Sequence, residues 1–274
     1  MKGIRKVLFF FLVVIVCAIA FFPFYWLINT SLIEEKQLFQ YPPRFFPSKG
    51  LLSSYIHYVL STPISAWLRN SLFVGGVATA ASTIFAILGA YSISRFNFKG
   101  RTPFTFLILL TQMLPAVLLV IPVYIIFLTL RLNNTLAGLT IMYTAMTVPI
   151  GLWFLKGFFD AIPIELEEAA RIDGCSKLGI LLRVTLPLCV PGVIATATWS
   201  FIITWDEFLF AYTFINSEKL WTVSVGLSSF IGQYSADWGQ IMSGAVLTTL
   251  PIAILFMFFQ RYLVSGLTAG SVKG

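Results

Sequence analysis

Residues 7–33 read VLFFFLVVIVCAIAFFPFYWLINTSLI, 27 positions without one Lys, Arg, Asp or Glu. A bilayer core of about 30 Å is crossed by roughly 20 apolar residues of helix, so this run is long enough to span by itself. It is apolar on every face. A barrel strand alternates apolar and polar residues over about ten positions, so the run reads as a helix. Lipid offers no partner to backbone amides, and a helix satisfies its own.

Five further runs repeat the pattern. Residues 70–94, 102–130, 132–155, 184–205 and 238–260 contain none of the 29 acidic and basic side chains. The whole chain of 274 residues is 58% hydrophobic and 11% charged. Soluble domains carry roughly a quarter charged residues, so an ordinary water-soluble enzyme is excluded, and disordered chains lack these apolar side chains. The reading is an all-α integral membrane protein with six transmembrane helices over about 7–29, 70–94, 104–130, 138–156, 187–214 and 239–260. The whole of 1–274 forms one transmembrane domain. Pro115 and Pro122 invite kinks in the third span, and Pro149 falls inside the fourth.

Six spans put both termini on one side. With the N-terminus inside, 12 of the 18 Lys and Arg lie in cytoplasmic segments. Cytoplasmic loops carry the basic excess, so both termini are expected in the cytoplasm of a multi-pass cell-membrane protein. The net charge of +7 follows from that topology rather than from nucleic-acid binding. The start Met1-Lys2-Gly3-Ile4-Arg5-Lys6 resembles a signal peptide, but the apolar run continues past a signal core, and an uncleaved anchor is expected. Cys17, Cys175 and Cys189 have no metal-binding spacing. His57, the single histidine, cannot build a metal site alone. The uncharged segment Leu220 to Ala236 is broken by Ser, Gln and Gly and reads as an external loop.

The longest cytoplasmic segment, 157–186, carries the acids Asp160, Glu165, Glu167, Glu168 and Asp173. Pro163 suits a first helical turn, and the glutamates favour the positive end of the helix. Glu167 and Arg171 are spaced to pair at i,i+4, and Gly174 suits a left-handed cap. Ser176 then caps a second short helix, Lys177 to Val184, ended by Pro187. Leu166, Ala169 and Ala170 give the first helix a small apolar face. Such a helix–turn–helix can merely link two spans at the interface, or it can dock a cytoplasmic partner. Spacing alone leaves both open.

Glu168-Ala169-Ala170, Asp173-Gly174 and Leu186-Pro187 resemble the EAA motif of permease subunits of binding-protein-dependent ABC importers. The segment Trp205-Asp206-Glu207-Phe208 and residues 260–274 are similar to the carbohydrate, maltose-type branch. Asp206 stands where Asn is usual in that branch, and Cys175 where a small residue is commoner. The resemblance implies that 157–186 is a coupling loop seated on an ATP-hydrolysing subunit, with Glu168, Ala169, Ala170, Asp173 and Gly174 at the contact. It implies that Gly266, Gly270 and Lys273 reach toward the ATPase interface. It also implies a second homologous permease, two ATP-binding subunits carrying ATP and Mg, and an extracytoplasmic sugar-binding protein touching residues 217–238.

The chain itself has no G-x-x-x-x-G-K-[ST] phosphate loop, so it is expected to be non-catalytic and to bind no cofactor. A sugar path needs polar and aromatic groups. Candidates are Asn70, Gln112, Tyr143, Trp199, Trp205 and Asp206, with Asn29 and Thr144 behind them. Any of these can instead pack between helices. Asp206 and Glu207 would serve an ion-coupled transporter, but that class predicts inverted repeats, and none is visible. A polyol or glycerophosphate importer shares the motifs; the spans carry no basic group for a phosphate, which favours a neutral sugar.

Overall fold

The structure, a computed structural model, describes residues 2–47, 51–232 and 238–269. Among these the chain is nearly all helical. The helices are α1 (Lys2–Ser31), α2 (Glu35–Leu38), α3 (Leu51–Ser61), α4 (Ile64–Arg95), α5 (Arg101–Met113), α6 (Ala116–Thr129), α7 (Leu136–Asp160), α8 (Ile164–Ile172) and α9 (Lys177–Ile180). A π turn over Leu181–Thr185 leads to α10 (Leu186–Leu188), α11 (Val190–Asp206), α12 (Leu209–Phe214), α13 (Val223–Ser228) and α14 (Trp238–Ala269).

Among the described residues, four unbroken helical stretches are long and apolar enough to cross a bilayer: Ile4–Ser31, Ile64–Arg95, Leu136–Asp160 and Trp238–Tyr262. Two further spans are possible if bent helix pairs each count as one: α5 with α6, bent by 100°, and Lys177–Leu188 with α11, bent by 80°. The third run is therefore broken rather than kinked. Leu114, at φ −77° and ψ 123°, is extended because Pro115 crowds the helical conformation of the residue before it. Pro122, Pro149 and Pro251 all lie inside helices that continue past them.

The fifth run also departs from a single helix. Pro187 does not end the short helix after Ser176; it lies in α10, and the helical run from Lys177 continues past it to Leu188. The chain bends at Cys189 instead, with Pro191 in the first turn of α11. The helix expected over 177–184 stops at Ile180 and widens into the π turn. At the far end α11 stops at Asp206, and extended Glu207 separates it from α12.

The described residues form two compact units. The first holds residues 1–65 and 226–251. The spanning window of α1 is wholly exposed, an apolar surface that only lipid or a partner can cover. Its last turns are anchored to the following loop and to α3: the Asn29 amide donates to the Arg44 carbonyl at 2.9 Å, and the Ser31 hydroxyl pairs with that of Tyr55 at 2.6 Å. Tyr58 and Phe230 rings meet at 5.7 Å.

The second unit holds residues 66–225 and 252–274. Two buried clusters follow one another along α4. Val74 and Ala78 pack with Phe127, Leu139, Tyr143, Phe210 and Phe214. Ala86, Ala90 and Tyr91 pack with Leu152, Leu155, Phe159 and Leu181. Small residues on α4 let the neighbouring helix approach closely, the usual device where lipid removes any hydrophobic drive between helices. Gly192 on α11 does the same for Phe158: a Cβ there would lie 2.5 Å from the ring.

Candidate functional site

The loop between α7 and α11 is built as a rigid corner. Pro163 flanks α8 at its start, and Glu165 and Glu167 occupy its first turn. Gly174 closes the helix at φ +84°. The Gly174 amide donates to the Arg171 carbonyl at 3.1 Å and the Cys175 amide to the Ala170 carbonyl at 3.0 Å. This is the paired bond pattern of a Schellman cap, which needs a left-handed residue at that position. The Ser176 hydroxyl then accepts from the Gly179 amide at 3.2 Å and starts α9. Lys177 sits 5.0 Å above the Phe96 ring.

The two adjacent glutamates of α8 face opposite ways. Glu168 is exposed, while Glu167 is 4% exposed. Glu167 does not pair with Arg171. Its Oε1 accepts from Arg95 Nε at 2.7 Å and from the Thr185 hydroxyl at 2.9 Å, and its Oε2 accepts from the Tyr91 hydroxyl at 3.1 Å. Arg95 also donates to the Ile162 carbonyl at 2.9 Å. A buried carboxylate needs all these donors, and Arg171 on the exposed face cannot supply them. One side chain thus joins the end of α4, the start of α8 and the π turn. Arg95, Tyr91 and Thr185 are functional candidates that local sequence patterns do not mark.

The apolar face expected on α8 is divided. Ala170 shares the buried side with Glu167, three residues away, whereas Leu166 and Ala169 are exposed. Ile164 and Ile172, one turn to either side of Glu168, are also exposed. Asp173 and Gly174 are exposed at its end.

The proposed path residues are scattered. Asn70 is buried and donates to the carbonyls of Lys219 and Trp221 at 2.9 and 3.0 Å, so it holds the loop before α13. Trp205 is buried, stacks on Phe201 at 5.6 Å, and its carbonyl accepts from Ser224. Tyr143 donates to Glu207 Oε2 at 2.7 Å. Glu207 also accepts from the amides of Phe210 and Ala211, so it caps α12. Trp199 meets Phe154 edge-on at 5.7 Å. Gln112 and Asp206 are exposed, and Thr144 bonds back to the Thr140 carbonyl. None of these lines the cavity of about 400 Å³ formed by α4, α11 and α14 around Thr79, Thr83, Thr198, Phe201 and Phe259. Among the described residues no group of three His, Cys, Asp or Glu could hold a metal. Gly266 lies in α14, while Gly270 and Lys273 lie outside the described residues.

Comparison with known proteins adds what geometry alone does not. Residues 82–269 match the family described as "Binding-protein-dependent transport system inner membrane component". The sulfoquinovosyl glycerol transport system permease protein of Agrobacterium fabrum is 37% identical over 92% of this chain and 89% of its own length. The trehalose/maltose transport system permease protein of Thermococcus litoralis is 35% identical over 99% of this chain and 98% of its own. A chain in the crystal structure of a bacterial ABC transporter that imports the acidic polysaccharide alginate superposes with a TM-score of 0.80 at 22% identity. The superposition covers 95% of this chain and 97% of that one, so the two share a fold.

Proposed function

Since the chain belongs to the family of binding-protein-dependent transport system inner membrane components, we propose that it forms half of the membrane path of an ATP-driven sugar importer. The full-length relatives named above serve sugars and a sugar glycoside, which supports a mono- or oligosaccharide cargo. The chain is the non-catalytic part of the complex. ATP and Mg belong to two ATPase subunits, the sugar arrives on an extracytoplasmic binding protein, and a second, related permease completes the path. Both termini face the cytoplasm.

The observation that carries this reading is the two-sided helix α8. Its buried side is tied through Glu167 to Arg95 of α4 and Thr185 of the π turn. Its exposed side offers Glu168, with exposed Ile164 and Ile172 one turn to either side. A moving cleft that holds the exposed side carries the buried side with it, and α4 and the π turn follow. That is a differential interaction with two states, which any driven conformational change requires.

The test is reconstitution of the chain with its partner permease and ATPase in vesicles. Sugar uptake and ATP hydrolysis are measured with loaded binding protein outside. Uptake that requires both ATP and binding protein supports the reading. Uptake that a protonophore abolishes while ATP depletion leaves it unchanged overturns it in favour of an ion-coupled transporter.

A further inference from the structure

A second site lies on the same side of the molecule as α8 but is separate from it. The turn between α4 and α5, the first turns of α5 and the last turns of α7 enclose an open cavity of about 710 Å³. Its lining includes Lys99, Arg101 and Lys156, with Thr102, Thr105 and Trp153, and no carboxylate. Lys156 is paired with Asp160, which also accepts from Ser94. Neither Lys99 nor Arg101 has a carboxylate at salt-bridge distance among the described residues.

Arg101 is held in place, with the Asp160 carboxylate near enough to offset part of its charge. It donates from Nη1 to Asn97 Oδ1 at 3.0 Å and from Nη2 to the Ser94 carbonyl at 3.5 Å. A guanidinium has five N–H donors, so three remain. The 13-residue helix α5 begins here, behind Gly100, and no side chain caps its N-terminus. The positive end of the helix adds to the field of the cations. The result is an open, positively charged pocket, large enough for a headgroup and not only its phosphate.

What surrounds it points to the source of the phosphate. Trp153, Phe98, Phe104, Phe106 and Leu107 are exposed large apolar side chains, and α5 has no buried residue at all. Such side chains are matched by acyl chains, and Trp belongs at the level of the headgroups. A free anion would use the cations and leave this surface idle. We propose that this pocket binds the headgroup phosphate of an anionic phospholipid, whose acyl chains run along the exposed face of α5. Lys99 and Arg101 supply the charge, and Trp153 flanks the glycerol region. Basic pockets between membrane helices on the cytoplasmic side are suited to such headgroups.

The experiment uses the intact complex in mild detergent. Lipid retention is read by native mass spectrometry and by thermal shift, with phosphatidylglycerol and phosphatidylcholine of identical acyl chains, and with inorganic phosphate alone. Preferential retention of phosphatidylglycerol is expected. Each cation removed weakens it about five-fold, taking roughly 1 kcal/mol per basic residue at the surface. Lys99→Ala therefore loses about five-fold, and Lys99→Ala with Arg101→Gln loses a few tens of fold. If Arg101→Gln impairs assembly, Lys99→Glu alone carries the test and loses more than Lys99→Ala. Equal retention of the two lipids overturns the proposal, as does a phosphatidylglycerol preference unchanged by Lys99→Glu. A shift with inorganic phosphate as large as with phosphatidylglycerol assigns the pocket to a free anion and also overturns it. The readout is lipid retention rather than uptake, so failure here leaves the importer reading standing.

Discussion

Arg95 and Glu167, 72 residues apart, form a buried ion pair with Nε and Oε1 2.7 Å apart and side chains 9% and 5% exposed. Taking one partner away leaves the other charged, buried and unpaired, which costs about 3–5 kcal/mol. Glu167→Ala and Arg95→Ala are each expected to lower the thermal stability of the purified complex by that order. The double variant should cost clearly less than the sum, since it removes both charges. Additive losses in thermal unfolding of the four proteins would show that the pair is not coupled.

Glu168 makes the contrasting case on the next residue. It is exposed and makes no ion pair among the described residues. Glu168→Ala should leave the melting temperature of the isolated chain within a degree or two. Association with the ATPase subunit should weaken ten- to a hundred-fold, the worth of a charged hydrogen bond of about 1.5–3 kcal/mol. Pull-down of the ATPase at graded concentrations measures this. Unchanged association would place the contact elsewhere on α8.

Gly174 separates conformation from space. Its φ is +84°, and a Cβ there would meet nothing within 4 Å. Any loss on substitution is therefore backbone strain, about 1–2 kcal/mol for an ordinary side chain in the left-handed region. Gly174→Val should reduce uptake strongly and Gly174→Asn only mildly, because Asn tolerates that region. Equal uptake by both variants would count against the cap as the cause.

These residues also mark what local sequence conveys. The charge-free runs are legible because lipid admits little else, and Gly174 is legible because a glycine after a short acidic helix has one common use. Pro115 announces a disturbance, but not that the chain turns by 100° there, since the direction depends on what α5 and α6 pack against. Glu167 and Glu168 look alike in sequence. Only the phase of α8, fixed by burial of Ala170 three residues on, distinguishes the anchor from the exposed carboxylate. The anchor's partner lies at the end of α4, four helices upstream, and no pattern within α8 points to it. For the path residues the difficulty is similar: Asn70, Tyr143 and Trp205 are polar or aromatic within spans, but each is already engaged by a backbone carbonyl, a carboxylate or a ring.

Packing between α7 and α11 rests on a missing side chain. At Gly192 a Cβ would fall 2.5–2.8 Å from three atoms of the Phe158 ring. The ring must shift, and overpacking of this kind costs about 1–3 kcal/mol. Gly192→Ala should lower the melting temperature, and Phe158→Leu in the same chain should restore part of the loss by freeing space. No recovery in the double variant would mean that another contact limits the approach.

Asp206 and Glu207 are adjacent acids with opposite expectations. Asp206 is exposed and has no ion pair among the described residues. Glu207 is engaged three ways: two α12 amides and the Tyr143 hydroxyl donate to its carboxylate. Asp206→Asn should therefore leave uptake unchanged. Glu207→Ala removes the cap of α12 and strands the Tyr143 hydroxyl in a buried site, each worth about 1–3 kcal/mol. Glu207→Gln keeps an acceptor oxygen and should recover much of the stability. If these acids instead carried a coupling proton, Glu207→Gln would abolish uptake while the complex stayed fully assembled. Uptake and thermal stability measured on the same three variants separate the two roles: a cap makes them fall together, whereas a proton carrier makes uptake fall alone.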